Sequence, residues 1–173
     1  MIIQFDRLSN IHYAEIIELN TNNLVLQQMP LAKGIIFDKE QCIAWVDAKE
    51  KHWEEYGYGV WAFLVDNKFA GWGGLQYEDG DADLALVLHP RYWGLGKQIF
   101  NRIINKAFNE LNFRSITILL PPTRNKLKAI YSLGFKLEGE ITINHEPFIK
   151  YRLYKHQSNE RSASPIRESS NQA

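Results

Sequence analysis

Apolar and polar positions alternate along this chain in two periods, and each change of period marks an element. Met1 to Asp6 is a short apolar segment, read as an edge strand. Ser9 or Asn10 is placed to cap a first helix carrying Ala14, Ile17 and the apolar residues up to Leu19. Residues 20–37 show no period. Asp38 then opens a second helix, in which Cys42, Trp45, Val46, Trp53 and Tyr56 recur at helical spacing, and Gly57-Tyr58-Gly59 ends it.

The period then shortens. Val60–Val65 and Phe69–Tyr77 read as strands joined by a hairpin turn at Asp66-Asn67-Lys68. Gly71, Gly73 and Gly74 inside the second strand predict a bulge or the close approach of another backbone. After a polar turn, Ala82–Leu88 completes a meander. From Lys97 to Leu111 the pairs Ile99/Phe100, Ile103/Ile104 and Ala107/Phe108, followed by Leu111, lie on one helical stripe. Ser115–Leu120 is a continuous apolar strand, expected to be buried and parallel to the previous one because a helix crosses between them. Pro121-Pro122 stops it, Thr123 is placed to cap a short helix to Leu133, and Gly134 closes that helix. Phe135–Ile143 and Phe148–Tyr154 form a last hairpin around Asn144-His145-Glu146-Pro147, and residues 156–173 read as a disordered polar tail.

Composition narrows the class. A chain of 173 residues suits one domain, here residues 1–155, with enough length to bury a core. A formal net charge of zero argues against a strongly basic nucleic-acid-binding surface. Cys42 is the one cysteine, so neither an internal disulfide nor a cysteine metal cluster is expected. His12, His52, His89, His145 and His156 are scattered without ligand spacing, and no metal site is expected. The start of the chain lacks a charged region followed by a long apolar run, and no segment reaches membrane-spanning length, so a soluble cytoplasmic protein without a membrane partner is the expectation.

The chemistry concentrates at Leu84–Lys97: a strand, a stop at Pro90, a glycine turn, and a helix whose first N–H groups face back to that turn. Orphan amides and the helix dipole make such a junction an anion site. The dinucleotide fingerprint fails because its third glycine position, counted from Gly94, is Ile99. The Walker loop fails because Arg91 stands at its first glycine and Gln98 follows Lys97. What remains is R-x-x-G-x-G, formed by Arg91, Gly94 and Gly96. This turn resembles the diphosphate-binding motif of the GNAT superfamily of N-acetyltransferases, and its wording from Pro90 to Gly96 looks most like the RimJ/RimL-like branch. Leu133-Gly134-Phe135 is similar to the K-x-G-F ending of the same family.

The resemblance covers residues 1–155 and implies an α+β fold: a central mixed, mostly antiparallel sheet of about seven strands, splayed between strands 4 and 5, with about four helices. It implies acetyl-CoA as co-substrate, its pantetheine arm held by the backbone of Leu86, Val87 and Leu88. The diphosphate is then taken by N–H groups of Tyr92, Trp93, Gly94, Leu95, Gly96 and Lys97. Lys97 either adds its charge or is a solvated lysine, while Arg91 and Trp93 shape the loop. Thr123 stands where the family often has a cofactor-contacting Asn. Asp83, separated by five residues from the His89-Pro90 pair, stands where the branch often has a Glu base; an acidic turn residue is the competing explanation. The family's tyrosine acid is displaced here to Tyr131, about 100° around the helix, where simple packing competes with catalysis. The activity implied is direct acetyl transfer to a primary amine, a protein N-terminus or a small molecule, by a monomer or homodimer. The alternative is a non-catalytic acetyl-CoA sensor on the same fold.

Overall fold

A computed structural model describes residues 1–155; the tail expected at 156–173 lies outside the described residues. The elements are β1 (Ile3–Asp6), α1 (Tyr13–Asn20), α2 (Asn23–Leu26), α3 (Lys39–Tyr56), β2 (Val60–Val65), β3 (Lys68–Glu78) and β4 (Asp81–Leu88), then α4 (Gly96–Asn105), β5 (Ser115–Leu120), α5 (Lys128–Leu133), β6 (Lys136–Ile143) and β7 (Glu146–Tyr154). The strands form one sheet in the order β1-β2-β3-β4-β5-β7-β6. Every neighbouring pair is antiparallel except β4 and β5, which are parallel.

Period-two alternation sends the side chains of β2, β3 and β4 to two cores. On one face Leu84 and Leu88 of β4 meet Ile99, Ile103 and Phe108, together with Phe135 beyond α5. On the other, Ala85 and Val87 face Trp72, Cys42 of α3, and Ile16 and Leu19 of α1. Burying side chains of this size stabilises by roughly 1.5–3 kcal/mol each. The layers are therefore helix, sheet, helix, with β4 reading into both cores.

Five α-helices occur among the described residues, one more than expected. The addition is α2, a single turn too short to show a period; its signal is local, Asn22 accepting from the N–H groups of Leu24 (3.0 Å) and Val25 (3.4 Å). The first long helix is capped by His12, whose Nδ1 accepts from the Ala14 N–H at 3.2 Å. Ser9 and Asn10, the expected caps, belong to a preceding 3₁₀ turn, where Asn10 donates to Asp6. Asp38 does cap α3, accepting from the Gln41 N–H at 2.9 Å.

Both hairpins close more tightly than anticipated. Asp66-Asn67 and Asn144-His145 take positive φ in pairs, so each turn has two residues and β7 begins at Glu146 instead of Phe148. Pro147 is accommodated because it lies past the last β5 pairing, Leu120 with Ile149. In β3 both readings of the glycines hold. The β2 register jumps past Ala70, and a Cβ on Gly71 (φ 156°) would lie 2.1 Å from the Val87 carbonyl oxygen.

The helix after the turn holds its stripe by a local change of winding. Four-residue steps over-rotate an α-helix by about 40° each. Residues Lys106–Glu110 relax into a π turn, with the Leu111 N–H reaching back to the Lys106 carbonyl, and Leu111 stays against the core.

Candidate active site

The parallel strands β4 and β5 pair at one register position, Asp83 with Thr117. Beyond it, towards Leu88 and Leu120, the two strands run on without a ladder between them. The other edge of β4 stays bonded to β3 as far as Gly71 and Leu88. A fork of this kind leaves backbone polar groups needing partners, and an extended chain bearing amides supplies them. Alternation along β4 turns the backbone groups of Leu86 and Leu88 to the open side, whereas Val87, the next hydrogen-bonded position before the His89–Ala70 bond, pairs with Trp72 of β3. The Leu88 carbonyl already accepts from the Trp93 indole N–H at 2.9 Å, while the Leu88 N–H faces the fork.

The glycine turn lies at the end of that arm. Pro90–Leu95 winds as a 3₁₀ helix capped by His89, whose Nδ1 accepts from the Arg91 N–H at 3.2 Å. This tighter winding turns amides expected to face a diphosphate onto the turn's own carbonyls. Tyr92 donates to the His89 carbonyl at 2.8 Å, Gly96 donates to the Trp93 carbonyl, and i→i+3 bonds run between them. Trp93, half-exposed, shapes the turn through its bond to Leu88.

Two features of the turn fit an outside ligand and nothing inside the chain. Neither Gly94 nor Gly96 has a φ that requires glycine, a Cβ on Gly94 would meet nothing within 4 Å, and one on Gly96 would meet only Leu88, at 3.9 Å. Bare backbone there leaves the turn open to close approach from solvent. Lys97 stands in the first turn of α4, against the helix dipole, and makes no ion pair among the described residues. An anion bound at that helix start would reverse the penalty.

Asp83 lies on the sheet face of Ala85 and Val87. Its carboxyl still meets solvent but is closely surrounded, and the Thr117 hydroxyl donates to its Oδ1 at 3.0 Å. Burial pushes the Asp83 carboxyl up to about 7; the Thr117 bond opposes this, and the Glu78 and Asp81 carboxylates add to it. Asp81, two residues earlier, behaves oppositely. Arg152 grips both of its oxygens (2.8 and 2.9 Å), Lys150 reaches it at 2.7 Å, and these cations hold its carboxyl down at about 2. Arg152 also holds Glu138 and Ser115, so the start of β4 is tied to β5, β6 and β7. Two carboxylates on one strand thus have separated acidities, one kept as a fixed anion and one poised to exchange a proton near neutrality.

A cavity of about 250 Å³ opens beside this pair, lined by Thr117, Leu119, Ile141, Ile143, Lys150 and the rim carboxylates Glu78 and Asp79. A larger open depression of about 500 Å³ at the first turn of α3, around Asp38 and Ile43, shares no residue with the fork. Sequence reasoning missed Thr117, Lys150 and Arg152. Thr117 had a trace, a polar residue inside an otherwise apolar strand. The two cations had none, because strand register alone brings them to Asp81.

Tyr131 is on α5, on the opposite face of the sheet from Asp83, half-exposed, with its ring edge-on to Tyr151 at 5.9 Å. Thr123 is exposed in the β5–α5 connection. It does not cap the helix, which starts five residues later behind Leu127 with no side-chain cap, since the turn closed by the Arg124 N–H on the Pro121 carbonyl comes first.

The family description "Acetyltransferase (GNAT) domain" matches residues 4–136, and the chain belongs to that family. It is an N-acetyltransferase that uses acetyl-CoA. The fold is shared with solved structures at low identity. A putative GNAT-family acetyltransferase from Bordetella pertussis superposes with a TM-score of 0.71 at 13% identity, over 87% of this chain and 94% of that one. The spermidine N-acetyltransferase of Vibrio cholerae in complex with CoA and spermine gives 0.72 at 15% identity, over 91% and 98%. An acetyltransferase from Agrobacterium tumefaciens gives 0.71 at 14%, over 88% and 91%. No helix of the described residues is long and apolar enough to cross a membrane.

Proposed function

We propose that the chain moves an acetyl group from acetyl-CoA to a primary amine, either a protein N-terminus or a small amine, by direct attack in a ternary complex with Asp83 as base. The carrying observation is the fork itself: β4 and β5 part just beyond a carboxylate of near-neutral acidity, with a side-chain-free turn at the end of one arm. The backbone of Leu86 and the Leu88 N–H would hold the pantetheine arm. The turn from Trp93 to Lys97, with the Lys97 ammonium, would hold the diphosphate, and Thr123 stands by the other arm. The wording from Pro90 to Gly96 supports the RimJ/RimL-like branch and, with it, a peptide acceptor.

Bound acetyl-CoA supplies an acetyl thioester. An amine arrives at neutral pH as an ammonium ion, since a lysine amine titrates near 10.4 and an α-amine near 8. Asp83 takes the proton as an N–H bond breaks and an O–H bond forms. The freed nitrogen pair bonds the acetyl carbon while the C–S bond breaks and its electrons pass to sulfur. The nitrogen sheds its second proton to leave a neutral amide, which balances the proton gained by the departing thiolate. Glu78 and Asp79 at the cavity rim favour a cationic acceptor. Tyr131 is the candidate proton donor to the departing sulfur.

The test is thiol release from acetyl-CoA with a panel of primary amines and free-N-terminus peptides, beside calorimetry with acetyl-CoA. Binding with release on at least one primary amine is expected. Binding with no release across the whole panel would overturn amine transfer in favour of a sensor.

A further inference from the structure

We infer that Thr117 is the positioning residue for Asp83: its hydroxyl fixes one carboxylate oxygen and leaves the second for the acceptor's proton. The inference rests on Asp83 being the base. The two residues form the one register pair of β4 with β5, so Thr117 stands beside the carboxylate at the last point before the strands part. Thr117 is 1% exposed, and its Oγ1 donates to Asp83 Oδ1 at 3.0 Å. Valine would satisfy the strand and the burial equally well without a hydroxyl to desolvate. Sheet formation therefore does not account for the polar atom; the carboxylate does.

The second oxygen of Asp83 takes no hydrogen bond from the described residues, and it is not sealed from solvent. One oxygen is held and the other is available, which is the state a base needs before its substrate arrives. A carboxylate free to rotate would offer either oxygen in many orientations and lose the fixed geometry.

The charged groups around Asp83 come from several elements. Glu78 at the end of β3 and Asp81 on β4 disfavour its charge, while Lys150 on β7 favours it. Lys150 and Arg152 are themselves engaged with Asp81 and Glu138. On β3 the register partner Gln76 is uncharged, and Lys49 of α3 donates to its side chain. Among these groups Thr117 alone hydrogen-bonds Asp83, so replacing it changes the carboxylate's bonding without changing any charge.

The experiment follows the side-chain carboxyl carbon of Asp83 by NMR in the full chain, without ligand. The resonance is assigned by its loss in Asp83→Asn. Thr117→Val and Thr117→Ala should move the Asp83 titration midpoint upward by about one pH unit, the usual scale of one charge-assisted hydrogen bond. Thr117→Ser should return it to within roughly a few tenths of a unit of the wild type. The acid limb of the pH–rate profile should move with the midpoint. A midpoint unchanged in both folded variants, or not restored by serine, would overturn the positioning role. If the midpoint moves while Asp83→Asn keeps the wild-type pH–rate profile, the hydrogen bond stands and the base assignment falls.

Discussion

The Trp93 indole N–H donates to the Leu88 carbonyl at 2.9 Å, joining the last residue of β4 to the turn that follows it. This bond decides which part of the open strand can serve a ligand. The fork offers the backbone of Leu86 and the Leu88 N–H, while the Leu88 carbonyl is engaged in setting the turn's angle. Trp93→Phe keeps the ring and removes the donor. The expected result is a loss of about 1 kcal/mol in chemical denaturation, the usual worth of one partly buried hydrogen bond. Acetyl-CoA affinity measured by calorimetry should weaken several-fold as the turn loses its tether. Full affinity in the variant would show that the turn's geometry does not depend on Leu88.

Gly94 separates ligand effects from folding effects. Because a Cβ there meets nothing, Gly94→Asp should leave stability within about 0.5 kcal/mol of wild type. A carboxylate beside a diphosphate site should weaken acetyl-CoA binding by at least about tenfold through like-charge repulsion. Calorimetry beside a melting curve reads both. Unchanged binding would remove this turn from the cofactor site.

The Asp81–Arg152 network has the opposite character, structural and sensitive to acid. Arg152 and Lys150 hold Asp81 below the ordinary carboxylate range, so the folded chain releases that proton more readily than the unfolded one. The stabilisation is present above about pH 4 and is lost as pH falls towards about 2. Arg152→Met should cost about 3 kcal/mol at pH 7, the scale of breaking a shielded ion pair from one side. Its stability deficit should narrow between about pH 4 and pH 2 in denaturant titrations, as Asp81 protonates.

For Asp83 the sign reverses. Its carboxyl titrates at about 7 in the fold, above its unfolded value, so the folded chain binds the proton more tightly. The stabilisation from protonation is complete below about pH 4 and is lost as pH rises to about 7. Asparagine mimics the protonated form and can still accept from Thr117. Asp83→Asn should therefore be more stable than wild type at pH 8 by about 2 kcal/mol, discounted for the carboxyl's contact with solvent, and equal to it near pH 4. Equal stability at both pH values would show that the charge is not held at a cost.

Much of this architecture was readable in residue order because its signals are local. The stripe from Ile99 to Leu111, the Asp38 cap and the Gly134 stop each depend on a few neighbouring residues, and each appears where expected. Asp83 could be singled out by its offset from Pro90, whereas its partner Thr117 lies 34 residues away and is brought to it by strand register. The same holds for Arg152, 71 residues from Asp81. His12 as a cap escaped notice because histidine is a rare choice at that position. The 3₁₀ winding at Pro90–Leu95 escaped notice because an open anion nest and a tight 3₁₀ turn can share the same letters.

The pH dependence of kcat/KM, compared between wild type and Asp83→Asn on one accepted amine, probes the chemistry most directly. Wild type should lose activity below about pH 7 as Asp83 takes up its proton. Asp83→Asn should be slower by roughly 10²-fold, lack that acid limb, and reach its optimum at higher pH. An acid limb of the same midpoint in both proteins would contradict the account, because the proton it reports would belong to some other group.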